Sequence, residues 1–258
     1  MADLLASFLA VLDGRLALAA CSVALAGFMR GFVGFGAALM TVPIFALLYG
    51  PLAAVPISTV IGMSSTLLLL PTAIRESERP VVVPVCLGVF LAAPLGAWVL
   101  VSVPAEIMRI TISFLTVAMV AALARGWRLE QEVPRALLFS AGAAGGLVQG
   151  SAGIGGPPVV AIALSRPGSA QTQRANVIGV MTAVAMSAIP PLAWYGLYTL
   201  EVVMIGVVLI PVSYVGTVLG ARYFQYGGHK LYRRAALATL LIVGAATLVA
   251  AIRDSVGG

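Results

Sequence analysis

The chain alternates between long apolar stretches and short polar or glycine-proline breaks. Eight stretches stand out against the ~20 residues that cross a bilayer: 15–49, 52–74, 80–103, 107–125, 134–165, 175–198, 201–223 and 231–251. Six have the length of a single transmembrane helix. The first and fifth each run past 30 residues. At 1.5 Å per residue, ~35 residues would extend about 50 Å, well beyond the ~30 Å hydrocarbon core. Each is therefore expected to be a broken helix pair, two half-helices that enter the membrane and return.

The place of each break is marked by glycine. Residues 27–36 read GFMRGFVGFG, and residues 146–155 read GLVQGSAGIG and continue GPP to position 158. Both follow GxxxGxxGxG. Glycine costs a helix interior ~1 kcal/mol relative to alanine, so four in ten residues, twice, need a reason. One reason is packing, because small residues four apart let membrane helices approach closely. The other is a break where the backbone meets a ligand. Pro157 and Pro158 favour a break in the second copy: no helix runs through them, yet both suit the first turn of a new one. The positive end of that helix would face the glycine loop, an arrangement that suits anions. The first copy has Ala37 and Ala38 there instead.

The two motifs open an internal repeat. Gly27, Gly31, Gly34 and Gly36 map onto Gly146, Gly150, Gly153 and Gly155 at a constant offset of 119, and Pro71 onto Pro190. Leu95, Gly96 and Ala97 map onto Leu219, Gly220 and Ala221 at 124. The expected halves are 1–128 and 129–258. Basic residues favour cytoplasmic loops, and here they gather at Arg75–Arg79, Arg125–Arg135, Arg166–Arg174 and Arg222–Arg234. The loops around Gly50, Pro104–Arg109 and Tyr198–Glu201 are poor in them. All four basic loops fall on one face only if both long stretches return to the face they entered. The halves are then inverted relative to each other, the recurring plan of secondary transporters, with both termini periplasmic. The expected fold is an all-α polytopic membrane protein of two inverted repeats, each a broken, re-entrant helix pair followed by three transmembrane helices.

Composition narrows the class. Of 258 residues, 61% are hydrophobic and 9% charged, with mean hydropathy +1.08; soluble domains carry about 25% charged residues. The net charge of +6 reflects loop arginines rather than a nucleic-acid surface. The acidic start, with Asp3 and Asp13, lacks the basic region of a signal peptide. Cys21 and Cys86 sit in apolar runs and read as small hydrophobes. No metal-ligand spacing, cofactor motif or nucleophile–His–acid set occurs, and His229 beside Lys230 reads as a loop residue, so the expectation is no enzyme and no cofactor. No carboxylate lies deep in a stretch, and Glu106 and Arg109 are spaced to pair at an interface.

The candidate chemistry is that of anion binding. Arg30 lies inside the first motif, where a membrane-buried charge costs at least ~2.5 kcal/mol and usually lines a cavity; a shallower Arg30 that snorkels outward is the alternative. Gln149 is its counterpart at offset 119, beside Ser151, and either donates to an oxyanion or satisfies the broken backbone. Arg174 and Asn176 open the sixth stretch, as a cytoplasmic flank or as the mouth of a path. Ser58, Thr59, Ser64, Ser65 and Thr66 supply hydroxyls along the second stretch.

These motifs, GFMRGFVGFGA from 27, GSAGIGGPPV from 150 and Arg174-Ala175-Asn176, resemble the TauE/SafE sulfite-exporter family over residues 15–251. The resemblance implies transport, mostly outward, of small sulfur-containing or carboxylate anions such as sulfite or sulfoacetate, with no cofactor. The first motif departs from the second in lacking Gly-Gly-Pro-Pro. The expected protein is a bacterial inner-membrane exporter working by alternating access, its substrate held where the two glycine loops meet near the midplane. The expected contacts are Arg30, Gly31, Phe32, Gly34, Gly36, Ser64, Gln149, Gly150, Ser151, Gly153, Gly155, Gly156, Pro157, Arg174 and Asn176. Expected partners are the small anion and the lipid bilayer, with no nucleic acid, and the oligomeric state stays open between monomer and homodimer. An anion importer or channel of the same fold, and a membrane scaffold whose glycines only pack helices, are the rival readings.

Overall fold

The computed structural model describes residues 14–124, 133–165 and 169–226, and among them there is helix and no strand. In chain order the helices are α1 (Gly14–Val33), α2 (Ala37–Tyr49), α3 (Pro51–Glu76), α4 (Arg79–Ser102), α5 (Ala105–Ala124), α6 (Arg135–Ala152), α7 (Gly156–Ser165), α8 (Ala170–Ser187), α9 (Ile189–Trp194) and α10 (Leu200–Gln225). Among the described residues, five are long and apolar enough to cross a membrane: α1, α3, α4, the α8–α9 run and α10. Helix is the only choice for such segments, since hydrocarbon offers no partner for a free N–H or C=O. Local chemistry sets their ends: Ser169 accepts from the Thr172 N–H at the start of α8, and Thr199 from the Val202 N–H at the start of α10. The outward surface is apolar, with Leu91 and Ile110 each 70% exposed, and Trp194 and Tyr226 stand exposed at helix ends, where interfacial aromatics belong. The molecule is an all-α polytopic membrane protein.

Both long stretches are interrupted. α1 stops at Val33 and α2 begins at Ala37; α6 stops at Ala152 and α7 begins at Gly156. Gly34 and Gly36 take φ of 93° and 95°, and Gly153 takes 68°, a region closed to most other residues. The arms are not the equal half-helices expected. α1 has 20 residues and α6 has 18, about 30 and 27 Å of helix, whereas the returning α2 and α7 have 13 and 10. Each outgoing arm is a full-length helix, and its break lies near the far end.

The packing recurs in register. A Cβ on Gly27 would fall 2.6 Å from the Ser213 carbonyl, and one on Gly146 2.3 Å from the Val89 carbonyl. Gly31 meets Thr217 and Ala221; Gly150 meets Ala93 and Ala97. On α1 and α6 these positions differ by 119 (146 − 27), and on α10 and α4 by 124 (213 − 89). So α1 packs along α10, α6 along α4, through the same backbone-to-backbone contacts.

The direction of travel also emerges from contacts. Val60 lies by Gly206, and Ser65 bonds Ser213 and Thr217, so α3 and α10 run parallel. The end of α3 meets the start of α8, where the Glu78 N–H donates to Asn176 Oδ1 at 2.7 Å and Asn176 Nδ2 to Glu78 Oε2 at 2.7 Å. The eighth stretch, the loops at 125–132 and 227–234 with His229, the 128/129 boundary and both termini lie outside the described residues.

Candidate functional site

A cavity of about 80 Å³ lies among α1, α2, α3, α8 and the turn between α6 and α7. One water needs ~10–15 Å³ of such space, so several water-sized groups fit. Arg30 reaches it from the last turn of α1. Gly31 turns its Cα against α10, which leaves Arg30, about 100° round the helix, facing α3. There its Nη2 donates to Thr66 Oγ1 at 3.2 Å, while its buried Nε has no partner. The buried Ser58 Oγ, also in the cavity wall, has none either. Among the described residues Arg30 is the only charged side chain in the lining.

The first break ends in the cavity. Gly36 caps α2 with no side chain to bond the first turn, and the backbone of Ala37, Ala38 and Leu39 follows along the wall. The first amides of a helix have no internal acceptor and carry its positive pole. The second break is built otherwise. Gln149 Oε1 accepts the Gly155 N–H at 3.1 Å, so the amide side chain satisfies the broken backbone. α7 starts as expected with Pro157 and Pro158 in its first turn, but neither proline has an N–H, which removes two amides from that helix pole.

The loops do not meet. Gly153 faces Val42 and Val55, whereas Gly34 faces Val177 and Ile178. Val42 lies six residues past Gly36 on α2, about 9 Å along the axis. The two breaks border opposite ends of one cavity.

Of the expected contacts, Arg30, Gly36, Gln149, Gly153, Gly156 and Pro157 line it. The others serve elsewhere. Gly31 and Gly150 press their backbones on α10 and α4. Gly34 packs on α8, and a Cβ on Gly155 would fall 2.0 Å from the Gly145 carbonyl. Ser64 and Ser151 donate to the carbonyls of Ile61 and Leu147. Arg174 closes the end of α1: its Nη2 donates to the Gly31 carbonyl at 2.6 Å, its Nε to the Phe32 carbonyl at 3.2 Å, and its guanidinium lies 4.3 Å from the Phe224 ring centroid. Phe32 stacks among Phe28, Tyr223 and Phe224. Asn176 ties α8 to Glu78. At the other end Thr59 shares a 2.8 Å bond with Tyr198.

The serine expected at the site is Ser64, but the cavity takes Ser58 and Ser65 instead. Helical phase selects them: 58, 62 and 65 are spaced i, i+4, i+7, one face of a helix, and Gly62 lines the cavity too. No sequence signal marks Ser213, which enters from α10.

A lipid-facing helical bundle enclosing a cavity whose described lining holds one cation, Arg30, defines the class: a polytopic membrane protein. The family described as sulfite exporter TauE/SafE matches residues 19–247, and the chain belongs to that family, which implies a membrane transporter of sulfur anions. No curated protein and no solved structure matches it.

Proposed function

We propose that the protein is a secondary transporter of the bacterial inner membrane. It exports small sulfur-containing anions, sulfite, sulfoacetate or related organosulfonates, by alternating access between two inverted halves. The observation that carries this reading is the cavity itself. Among the described residues its lining holds Arg30 and no carboxylate, and it is bordered at each end by a helix break. A buried guanidinium without a carboxylate partner is costly unless an anion accompanies it.

The two ends of the cavity are the natural gates. On the side of the basic loops Arg174, Phe224, Glu78 and Asn176 form the closure. On the opposite side Thr59 and Tyr198 share one hydroxyl bond. Opening them in turn exposes the cavity to each face. The membrane potential, worth about 2.3 kcal/mol per charge per 100 mV, favours outward movement of an anion.

Flux of labelled sulfite from proteoliposomes tests the proposal. The expected result is saturable efflux that accelerates when the potential is set negative inside. Flux that rises linearly with concentration, with no saturation, would establish a channel instead; no flux above protein-free vesicles would favour the scaffold reading.

A further inference from the structure

Among the described residues the cavity lining offers one charge, and that limits what it holds. We infer that the site lies at the α2 end of the cavity, between Arg30 and the amides of Ala37–Leu39, and takes a singly charged oxyanion that carries no ammonium group. The inference rests on reading the cavity as the transport site, and it selects among the anions that reading allows.

Three observations support it. First, an unpartnered donor lies at this end: the Arg30 Nε on α1 is buried without an acceptor. A buried donor left unmade is costly, so an acceptor is missing beside it. Second, α2 begins in the cavity at Gly36 with no side-chain cap. Its open amides point the positive pole of a 13-residue helix into the same space. The α7 end lacks this provision, because Gln149 occupies the Gly155 amide and Pro157 and Pro158 supply none. Third, the remaining wall carries no charge among the described residues: apolar Phe35, Ile154, Met181 and Val184 alternate with neutral side chains such as Ser65 and Ser213.

Charge balance follows. Arg30 is the one full charge in the lining and neutralises one negative charge; the α2 pole adds amide donors but no second full charge. A dianion would leave a second negative charge without a cation partner, and an ammonium would have no anion partner, since no carboxylate among the described residues lines the cavity. Sulfite therefore enters as hydrogensulfite. Among organosulfonates a simple alkanesulfonate fits, while sulfoacetate, with two negative charges, and taurine, with an ammonium, do not.

Calorimetric binding to the purified full chain decides this with matched probes. 1-Propanesulfonate and taurine share a skeleton and differ in a methyl against an ammonium; sulfoacetate adds a carboxylate. The expected result is 1-propanesulfonate bound at least about tenfold more tightly than either, and Arg30→Gln weakening it by tenfold or more, the value of a charged hydrogen bond. Taurine or sulfoacetate bound as tightly as 1-propanesulfonate would overturn the inference. Ala185→Phe, which fills the cavity from α8, separates the levels. Binding lost there but kept in Arg30→Gln would overturn the Arg30 assignment and leave the cavity as the site. Binding kept in both would overturn the cavity reading as well. If Arg30→Gln does not fold, the probe ranking on the unaltered protein still decides.

Discussion

The two glycine breaks have nearly the same sequence pattern and do different work. At Gly34–Gly36 the chain reverses through two left-handed glycines and restarts as α2 without a side-chain cap, its first residues in the cavity wall. At Gly153–Gly155 it reverses through one such glycine, ties the loose Gly155 amide to Gln149, and restarts on two prolines. The position that holds a cation in the first copy holds a self-satisfied amide in the second. Two breaks of matching pattern can thus turn the chain alike and differ in the polar groups they leave open. The prolines, which make the second break the more visible in sequence, also remove the donors an anion would use. The better-marked break offers the fewer open backbone donors.

The strongest way to test how far the copies remain equivalent is through the glycines that both use for packing. A methyl on Gly31 would fall 2.0 Å from the Thr217 carbonyl, and on Gly150 2.2 Å from the Ala93 carbonyl, backbone on backbone in each case. Neither helix pair can yield without separating. Gly31→Ala and Gly150→Ala should each cost about 3 kcal/mol or more, read as lost monodisperse protein or a large fall in Tm in detergent. A methyl on Gly62 would meet nothing within 4 Å, so Gly62→Ala should fold as well as the parent or better. If Gly31→Ala were as stable as Gly62→Ala, the backbone contact with α10 would be refuted.

That division of labour within each motif explains what could be read from sequence. Stretch lengths were legible because they follow from hydropathy, and the offsets, read from the glycine positions, reappear in the contacts Gly27–Ser213 and Gly146–Val89. The motif itself was not divisible by eye. The leading glycines, Gly27 and Gly31 with Gly146 and Gly150, pack helices, and the trailing ones turn the chain; both uses ask for the same residue. Nor did length alone reveal that α1 and α6 are full-length arms, since a stretch of over 30 residues divides equally well at its middle or nearer one end. Arg174 illustrates the opposite case. Its position near a basic loop suggests a flank, yet it satisfies the carbonyls of Gly31 and Phe32 across the bundle, a long-range contact no local pattern encodes.

Arg174 gives the next sharpening of the comparison. Its counterpart at offset 119 is Val55, which packs on Gly153 at the other break. Only the first break is therefore held by a cation. Arg174→Ala strands two carbonyls at a helix end, a loss of about 2–3 kcal/mol, whereas Val55→Ala removes only apolar volume, about 1 kcal/mol. Thermal unfolding of both variants should show Arg174→Ala the less stable. The reverse order would mean that the first break is held by its glycines alone.

The second break has its own support in Gln149. Gln149→Leu leaves the Gly155 amide buried and unbonded, at a cost of about 1–2 kcal/mol. Gln149→Glu keeps an acceptor for that amide but adds a negative charge to the cavity wall. If the amide side chain serves only the backbone, Gln149→Leu should lower Tm while the affinity for 1-propanesulfonate changes little. Gln149→Glu should retain Tm and weaken that affinity, because the new carboxylate competes with the ligand for Arg30. A Gln149→Leu variant with normal Tm and lost binding would move the ligand to the second break.

The smallest effect is expected at the gate opposite Arg174. Thr59 and Tyr198 share a single 2.8 Å hydroxyl bond, and Thr59 also donates to the Pro56 carbonyl. One hydroxyl can donate only one proton, so when Thr59 serves Pro56, Tyr198 is the donor across the gate. Tyr198→Phe removes that donor and keeps the ring, a change of about 1 kcal/mol. The closure at the basic end, with four side-chain bonds and a ring contact, is far costlier to open. A resting population closed at the basic end and dynamic at the other follows. Tyr198→Phe should shift that population further by about fivefold, seen as faster labelling of a cysteine placed at Ser58 by a membrane-impermeant thiol reagent added from the Tyr198 side. Unchanged labelling would show that the hydroxyl pair does not hold the cavity shut, and that the apolar contact of Gly153 with Val42 and Val55 does so instead.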